Sequence, residues 1–391
     1  MNSRRFHLIT GAAAAAALAF GMHHAHAQAD TLKIGVILPM TGQQASTGKQ
    51  IDAAIKLWMA QNGNKAGGKT VEVIVKDDAG IPDTTRRLAQ ELVVNDKVVA
   101  LAGFGITPSA LATAPIATQS KTPMVVMAAA TSAITAASPY VVRTSFTLPQ
   151  AAVGLAEWAT KNKIGKVVTL VADYGPGNDA EKYFAERMTL NGGKVLDKLR
   201  TPLRSPDFAP VLQKVRDAAP DALFVFLPSG QGAQFMKQFG ERGLDKAGIR
   251  LIATGDVTDD DQLNDMGDVA LGVVSSHHYS AAHDSPANKK FVAAFEAANK
   301  FRPNFMAVGG YDGMRVIYNA LNASKGARGE ALLNAMKGQL FESPRGPVLI
   351  DAQTRDIVQD IYIRKVEKKN GQLWNIEFDS IKQMKDPGKS K

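Results

Sequence analysis

The sequence contains no cysteine among its 391 residues. This absence excludes disulfide bonds and the cysteine-based metal sites that stabilise many small exported domains. Stability must therefore come from burial of a hydrophobic core. Roughly 360 residues beyond the N-terminal segment are enough for a large core, divided between two domains.

Beyond the N-terminal segment, no apolar run is long enough to span a membrane. The run at 8–21 covers about 14 residues, fewer than the roughly 20 that cross a bilayer. Arg4 and Arg5 precede it, and the small-x-small sequence Ala25-His26-Ala27 follows it. This order predicts a cleavable export signal over residues 1–27, with Gln28 as the first mature residue, rather than an N-terminal anchor. We therefore expect a periplasmic protein, exported by the general secretory route in preference to the twin-arginine route.

Sequence motifs for common catalytic sites are missing. The chain has no G-x-S-x-G elbow, no P-loop and no H-E-x-x-H pair. We therefore expect no catalytic residues and no cofactor, and we expect a binding protein rather than an enzyme. An exported hydrolase with an unrecognised site is the competing interpretation, which turnover assays on esters or amides would decide.

Histidine is also scarce, because four of the seven histidines lie in the export signal. His277 and His278 are adjacent on a predicted strand, where neighbouring side chains point to opposite faces and do not easily share a metal. We expect one of them to be satisfied in the core and the other to be exposed. The acidic run Asp259-Asp260-Asp261 lacks the spacing of a calcium loop and is interpreted as a helix N-terminus. The sequence therefore predicts no metal site.

The chain carries a formal net charge of +9, of which the export signal contributes two arginines and no acid. The basic residues are scattered, and no basic helix with interleaved aromatic residues is present. Together with export, this pattern argues against a nucleic-acid partner. The excess positive charge favours the approach of an anionic ligand.

Apolar strand patterns alternate with helical patterns along the chain, which predicts an α/β fold with mainly parallel sheets covered by helices. The first round has strands at 32–38, 71–75, 98–102 and 124–127, and the second has strands at 167–171, 223–227, 251–253 and 273–274. Two rounds of the same alternation predict two similar lobes. Helices follow at 287–299, 306–322 and near 331, then strands at 348–350 and 361–366. Asn370-Gly371 predicts a hairpin into a last strand at 374–378, and residues 385–391 are expected to be disordered.

Small hydroxyl-bearing segments follow two successive strands of the first lobe, where ligands bind in open α/β sheets. Thr107 precedes Pro108, and proline suits the first helical position, so Thr107 is predicted to cap a helix. Such a hydroxyl beside free N–H groups also suits a carboxylate. The segment Ala129-Ala130-Thr131 offers the same chemistry after the next strand. A cap alone explains Thr107, but two such segments together favour a ligand site.

Two second-lobe residues follow strands in the same way. Asp256 can accept from a ligand ammonium, or it can serve only as a turn or cap residue. Tyr174 can lay its ring on an apolar ligand, or it can serve only to pack the lobes. The sequence leaves both alternatives open.

Several segments in order resemble the periplasmic branched-chain amino acid binding proteins of ABC transporters, the leucine/isoleucine/valine type. The resemblance covers roughly residues 31–378. Its segments are I-G-V-I-L-P-M-T-G at 34–42, P-M-V-V-M-A-A-A-T at 123–131, V-V-R-T at 141–144, D-Y-G at 173–175 and G-G-Y-D at 309–312. The resemblance implies a type I periplasmic binding protein fold that captures a small ligand and delivers it to a membrane permease.

The resemblance also assigns roles to site residues. It implies that Thr107, Ala129 and Thr131 hold a ligand carboxylate, that Asp256 holds an ammonium, and that Tyr174 packs on the ligand. Thr47 stands where the family has a tyrosine. A branched-chain or other apolar amino acid is the first ligand expected. Stretches like G-F-G-x-T-P at 103–108 and A-A-A-T-S at 128–132 resemble those of binders of aromatic carboxylates, which are the alternative.

The implied fold has three hinge crossings, which we place near Thr147, Tyr279 and Asp351. Lobe 1 would comprise residues 28–147 with 280–351, and lobe 2 residues 148–279 with 352–391. We expect a monomer that closes around its ligand. A ligand-sensing module for a membrane receptor is an alternative of another class.

Overall fold

The computed structural model describes residues 31–389, so the predicted export signal lies outside the described residues. The first half of the chain forms a sheet with helices on both faces. Its elements are β1 Leu32–Leu38, α1 Ala45–Asn62, β2 Lys65–Ala66, β3 Lys69–Asp77, α2 Pro82–Val94, β4 Ala100–Gly103, α3 Thr107–Ser120, β5 Met124–Val126 and β6 Val141–Arg143.

The second half builds another sheet and returns helices to the first. Its elements are α4 Leu148–Lys161, β7 Lys166–Ala172, α5 Gly175–Leu190, β8 Lys194–Thr201, α6 Ala209–Ala218, β9 Ala222–Phe226, α7 Gly232–Glu241, β10 Arg250–Thr254, α8 Leu263–Met266, β11 Val274–His277, α9 Pro286–Asn299, α10 Phe305–Ala323, α11 Gly329–Met336, β12 Leu340–Ser343, β13 Gly346–Ile350, β14 Ile357–Lys369 and β15 Gln372–Met384.

The strand orders define two separate sheets. The first runs β2-β3-β1-β4-β5-β6, and the second runs β12-β13-β14-β11-β10-β9-β7-β8, with β15 paired to β14. The pairs from β3 through β6 and from β8 through β11 are parallel, whereas β2 and β12–β15 pair antiparallel. The predicted α/β fold with two sheets flanked by helices is therefore confirmed, and the second sheet combines four parallel with four antiparallel pairs.

Local chemistry explains why several elements end where they do. Helix α1 ends at Gly63, which adopts a φ of 73° and donates its N–H to the Met59 carbonyl, as its position predicted. Asn370 and Gly371 adopt φ values of 52° and 77° between β14 and β15, which suits a tight hairpin. Strand β8 was not predicted, because it is an edge strand in which half of the residues are exposed and charged residues interrupt the apolar ones.

Within residues 31–389 the chain crosses between the two sheets three times, after β6, after β11 and after α11. The hairpin β12–β13 is hydrogen-bonded to β14 of the second sheet, although the predicted boundary assigned it to lobe 1. Arg345 at its turn reaches Asp312 of α10, with Nη2 2.7 Å from Oδ2, and both side chains are fully buried. Near it, Arg143 Nε lies 2.5 Å from Asp356 Oδ1. Buried ion pairs therefore hold the crossing segments together.

Residues 385–389 are ordered, so the expectation of disorder is wrong for them. Asp386 is 4% exposed, and its Oδ1 accepts hydrogen bonds from the hydroxyls of Ser132 and Thr147 at 2.9 and 3.0 Å. Lys389 Nζ lies 3.3 Å from Asp356 Oδ2. A polar tail was expected to be free, but partners distant in sequence fix it.

Candidate ligand-binding cleft

A narrow cavity lies where the carboxyl ends of the strands of the two sheets face each other. Thr107, Ala129 and Phe146 line it from the first lobe, and Tyr174, Phe226 and Asp256 line it from the second. We call this cavity the cleft. Its volume is about 20 Å³, which is room for about one water molecule. The two lobes are thus closed against each other.

Thr107 brings a hydroxyl to the first-lobe wall of the cleft. It is the first residue of α3, whereas the capping position belongs to Ile106, so the predicted capping role is wrong. The Thr107 hydroxyl is buried and has no hydrogen-bond partner within residues 31–389. The N–H groups at the start of a helix also lack intrahelical partners. This corner therefore offers donors to an anion.

Ala129 lines the cleft, but its backbone is already bonded. Its N–H donates to the Phe104 carbonyl at 3.1 Å, and its carbonyl accepts from Arg143 Nη1 at 2.9 Å. Ala129 therefore contributes a small, smooth wall rather than a free donor. The sequence could not show this, because Arg143 lies on a different strand.

The structure places Thr131 in a contact between the lobes. Its hydroxyl donates to Asp179 Oδ2 on α5 at 2.5 Å, and the Ser132 N–H donates to the same oxygen at 3.0 Å. Thr131 does not belong to the residues that line the cleft in the described part of the chain. This geometry therefore does not favour the predicted carboxylate-binding role of Thr131.

Thr47 also lies behind the cleft rather than in it. It is buried in α1, and its Cγ2 would lie 3.4 Å from a Cβ placed on Gly105. Gln44, which precedes α1, lines the cleft instead. No sequence pattern indicates Gln44, because it belongs to an irregular turn without a motif.

Aromatic rings form the second-lobe wall. Tyr174 stacks on Phe226, with ring centroids 6.0 Å apart and planes at 22°. Burial, and then the nearby charge of Asp256, raise the pKa of the Tyr174 phenol well above its ordinary value. The tyrosine therefore stays neutral. Tyr174 was predicted, whereas Phe226 was taken only as a strand residue.

Asp256 follows β10 and lines the cleft, as predicted. It is 4% exposed, and its Oδ2 has no hydrogen-bond partner in the described chain. His277 Nε2 lies 3.5 Å from this oxygen. An unpaired buried carboxylate is costly, so this oxygen is available to a ligand.

His277 and His278 are both fully buried, so the expectation that one would be exposed is wrong. They sit where β11 enters the hinge, and both rings pack on Phe146, with centroids 4.6 and 4.8 Å away. Burial lowers the pKa of His277 to about 4, against the opposing effect of Asp256. Burial also lowers the pKa of His278 well below its ordinary value.

The acidic run at 259–261 does not start a helix, because Gln262 caps the short α8. Asp261 instead joins the lobes: its Oδ2 accepts from Ser46 Oγ at 2.9 Å, and its Oδ1 accepts from Asn304 Nδ2 at 3.0 Å. No group of three or more His, Asp or Glu side chains within residues 31–389 has the arrangement of a metal site. Over the same residues, none of the helices has the length and apolar character to cross a bilayer.

Two α/β lobes, three crossings between them and a cleft at the facing strand ends define a two-lobed solute-binding protein. Residues 31–372 match the family described as periplasmic binding protein, and the chain belongs to this family. The resemblance inferred from the sequence motifs is confirmed.

Similar proteins share nearly the whole chain. The Leu/Ile/Val-binding protein homolog 6 of Brucella abortus is 44% identical over 94% of this chain and 96% of its own. A solute-binding protein of an ABC transporter from Rhodopseudomonas palustris BisB5, solved with 3,4-dihydroxybenzoic acid, is 61% identical, with a TM-score of 0.91 over 92% of this chain and all of that one. A counterpart from R. palustris HaA2, solved with p-hydroxybenzoic acid, is 42% identical, with a TM-score of 0.89 over the same shares. The chain is thus a periplasmic solute-binding protein of the ABC-transporter type.

Proposed function

We propose that this protein captures an aromatic carboxylate, of the hydroxybenzoate class, and delivers it to the permease of an ABC importer. The main support for this proposal is the set of side chains that line the cleft. Phe146 of the first lobe and Tyr174 and Phe226 of the second line the same cleft, and flat apolar rings suit a planar ligand ring.

Such a ligand also needs hydrogen-bond donors for its carboxylate. Thr107 supplies an unpaired, buried hydroxyl at the start of α3, where the helix dipole favours an anion. The two R. palustris relatives, crystallised with hydroxybenzoic acids, support this ligand class.

A branched-chain amino acid is the second candidate. Asp256 favours it, because a buried carboxylate without a partner can accept from a ligand ammonium. The name of the B. abortus relative supports it as well. Three aromatic rings, those of Phe146, Tyr174 and Phe226, line the same cleft, and we therefore rank this candidate second.

Calorimetry with 4-hydroxybenzoate, benzoate and leucine tests the proposal. We expect both aromatic acids to bind and leucine to bind far more weakly. In Asp256→Asn, leucine binding would weaken by roughly 2–5 kcal/mol if the ammonium pairs with this carboxylate, whereas benzoate binding would be unchanged or stronger. Tight binding of leucine with no binding of either aromatic acid would overturn the proposal.

We also propose that the protein acts in the periplasm after removal of residues 1–27. The charged, apolar and small-residue regions of that segment support this. N-terminal sequencing of protein from the periplasmic fraction should begin at Gln28. A chain that retains Met1 in the membrane fraction would contradict it.

A further inference from the structure

A cluster of buried polar atoms without partners lies beside the cleft. Asp256 Oδ2 and both ring nitrogens of His277 have no hydrogen-bond partner in residues 31–389. Buried polar groups are almost always bonded, and leaving one unsatisfied is costly. Several such atoms together indicate a place where a bound molecule supplies the missing bonds.

The neighbouring cation does not fulfil this role. Arg364 is fully buried near His277, but its donors are directed to Ser275 Oγ, at 3.1 and 3.2 Å, and to the carbonyls of Tyr279 and Gly255. A Cβ on Gly255 would lie 2.3 Å from Arg364 Nη2 and 2.5 Å from His277 Cγ, so only glycine leaves room for this packing. Asp256 therefore depends on His277 or on a ligand.

The separation of the two groups fits one oxygen atom. Asp256 Oδ2 and His277 Nε2 are 3.5 Å apart, which is too long for a good direct hydrogen bond. An oxygen about 2.7–2.9 Å from each completes the triangle, within the normal range for O–H···O and N–H···O bonds. That oxygen must donate to the carboxylate and accept from the imidazole.

The protonation state of His277 is consistent with this pair of hydrogen bonds. Burial lowers its pKa to about 4, so the ring is neutral at pH 7 and carries one N–H and one lone pair. Phe146 and Phe305 pack against it, with ring centroids 4.6 and 4.3 Å away, and fix the plane of the ring.

We propose that Asp256 and His277 together recognise a phenolic hydroxyl on the ring of the ligand, with the hydroxyl donating to Asp256 Oδ2 and accepting from His277 Nε2–H. This inference rests on the proposed function. A hydroxyl has one hydrogen, so it donates to the carboxylate and accepts from the Nε2–H tautomer of His277, whereas an ammonium would require the other tautomer, with the lone pair on Nε2. The acids bound to the two R. palustris relatives both carry a hydroxyl at ring position 4.

Calorimetry on the whole mature protein tests this inference by comparing the affinity for 4-hydroxybenzoate with the affinity for benzoate. A site built to bond a hydroxyl strongly rejects the analogue that lacks it, so we expect the parent to prefer 4-hydroxybenzoate by about tenfold or more. In His277→Asn, which withdraws the Nε2 position, the ratio of the two dissociation constants should fall toward one. His277→Gln places an amide N–H near that position and should restore part of the ratio.

His278→Asn is the matched control, because His278 is equally buried and also packs on Phe146, whereas the imidazole 3.5 Å from Asp256 Oδ2 is that of His277. The ratio of its dissociation constants for benzoate and 4-hydroxybenzoate should equal that of the parent. Equal affinity of the parent for benzoate and 4-hydroxybenzoate overturns the inference and leaves the proposed function intact. Absence of binding to either acid overturns both. Because the parent ratio requires no variant, a variant that fails to fold does not remove the test.

Discussion

The Thr107 hydroxyl is the residue-scale feature that both ligand classes would use, since each has a carboxylate. We expect Thr107→Val to weaken binding of 4-hydroxybenzoate and of any other carboxylate ligand by roughly 10- to 100-fold, the usual effect of losing a hydrogen bond to a charged group. Isothermal titration calorimetry would measure it.

Thr113→Val is the control, because Thr113 lies on the same helix and its hydroxyl bonds only to the Ser109 carbonyl. It should change stability and leave affinity unchanged. Parent-like affinity in Thr107→Val would show that the carboxylate binds elsewhere.

His277 predicts a pH dependence of stability. Burial lowers its pKa from 6.5 to about 4 in the folded chain. Between these values the unfolded chain takes up a proton that the folded chain does not, so acid favours unfolding. As the pH falls from 6.5 to 4, the free energy of unfolding should drop by on the order of 3 kcal/mol more in the parent than in His277→Gln.

Urea denaturation of both proteins at several pH values measures this difference. Buried acids such as Asp259, whose pKa burial raises, act in the opposite direction, but they occur in both proteins and cancel in the comparison. Parallel pH curves for parent and variant would contradict the prediction.

At the scale of elements, helix α5 joins the lobes through Asp179, which accepts from Thr131 and Ser132 across the interface. This contact requires closed lobes, so it adds to the affinity for every ligand. We expect Asp179→Ala to weaken all ligands by a similar factor of about 2–10, the equivalent of 0.5–1.5 kcal/mol. Calorimetry with two ligands measures it.

Asp173→Ala is the matched control. Asp173 is half-exposed, and its ion pair with Arg200 lies inside the second lobe rather than between the lobes. Its affinities should match the parent. If Asp179→Ala binds as tightly as the parent, the contact does not contribute to closure.

The C-terminal segment 385–389 is a second element with a structural role. Asp386 accepts from Ser132 and Thr147, and Lys389 pairs with the buried Asp356. We expect a chain that ends at Met384 to lose about 2–4 kcal/mol of stability, because buried donors lose their partners. Thermal denaturation should show the loss, and a chain ending at Lys389 should match the full-length protein.

For the whole molecule, entry of a ligand requires the lobes to separate. The cleft holds about 20 Å³ in the closed arrangement, much less than any aromatic acid occupies. Small-angle scattering should therefore give a smaller radius of gyration with 4-hydroxybenzoate than without it. An identical radius in both states would mean that the ligand-free protein is already closed.

The sequence by itself determined the two-sheet architecture and the positions of Tyr174 and Asp256. Both follow from local rules: apolar runs alternate with helical spacing, and residues after parallel strands gather at one edge of a sheet. The end of helix α1 at Gly63 and the hairpin at Asn370 likewise follow from the local sequence.

Only the tertiary structure decided which strand-end residues line the cleft. Thr131 follows a strand as Ala129 does, yet it bonds to Asp179, 48 positions further along the chain. Likewise, the position of His277 3.5 Å from Asp256 and its packing on Phe146 depend on three separate segments that meet at the hinge. Periodicity describes one segment at a time, so contacts between distant segments are decided by packing across the lobes.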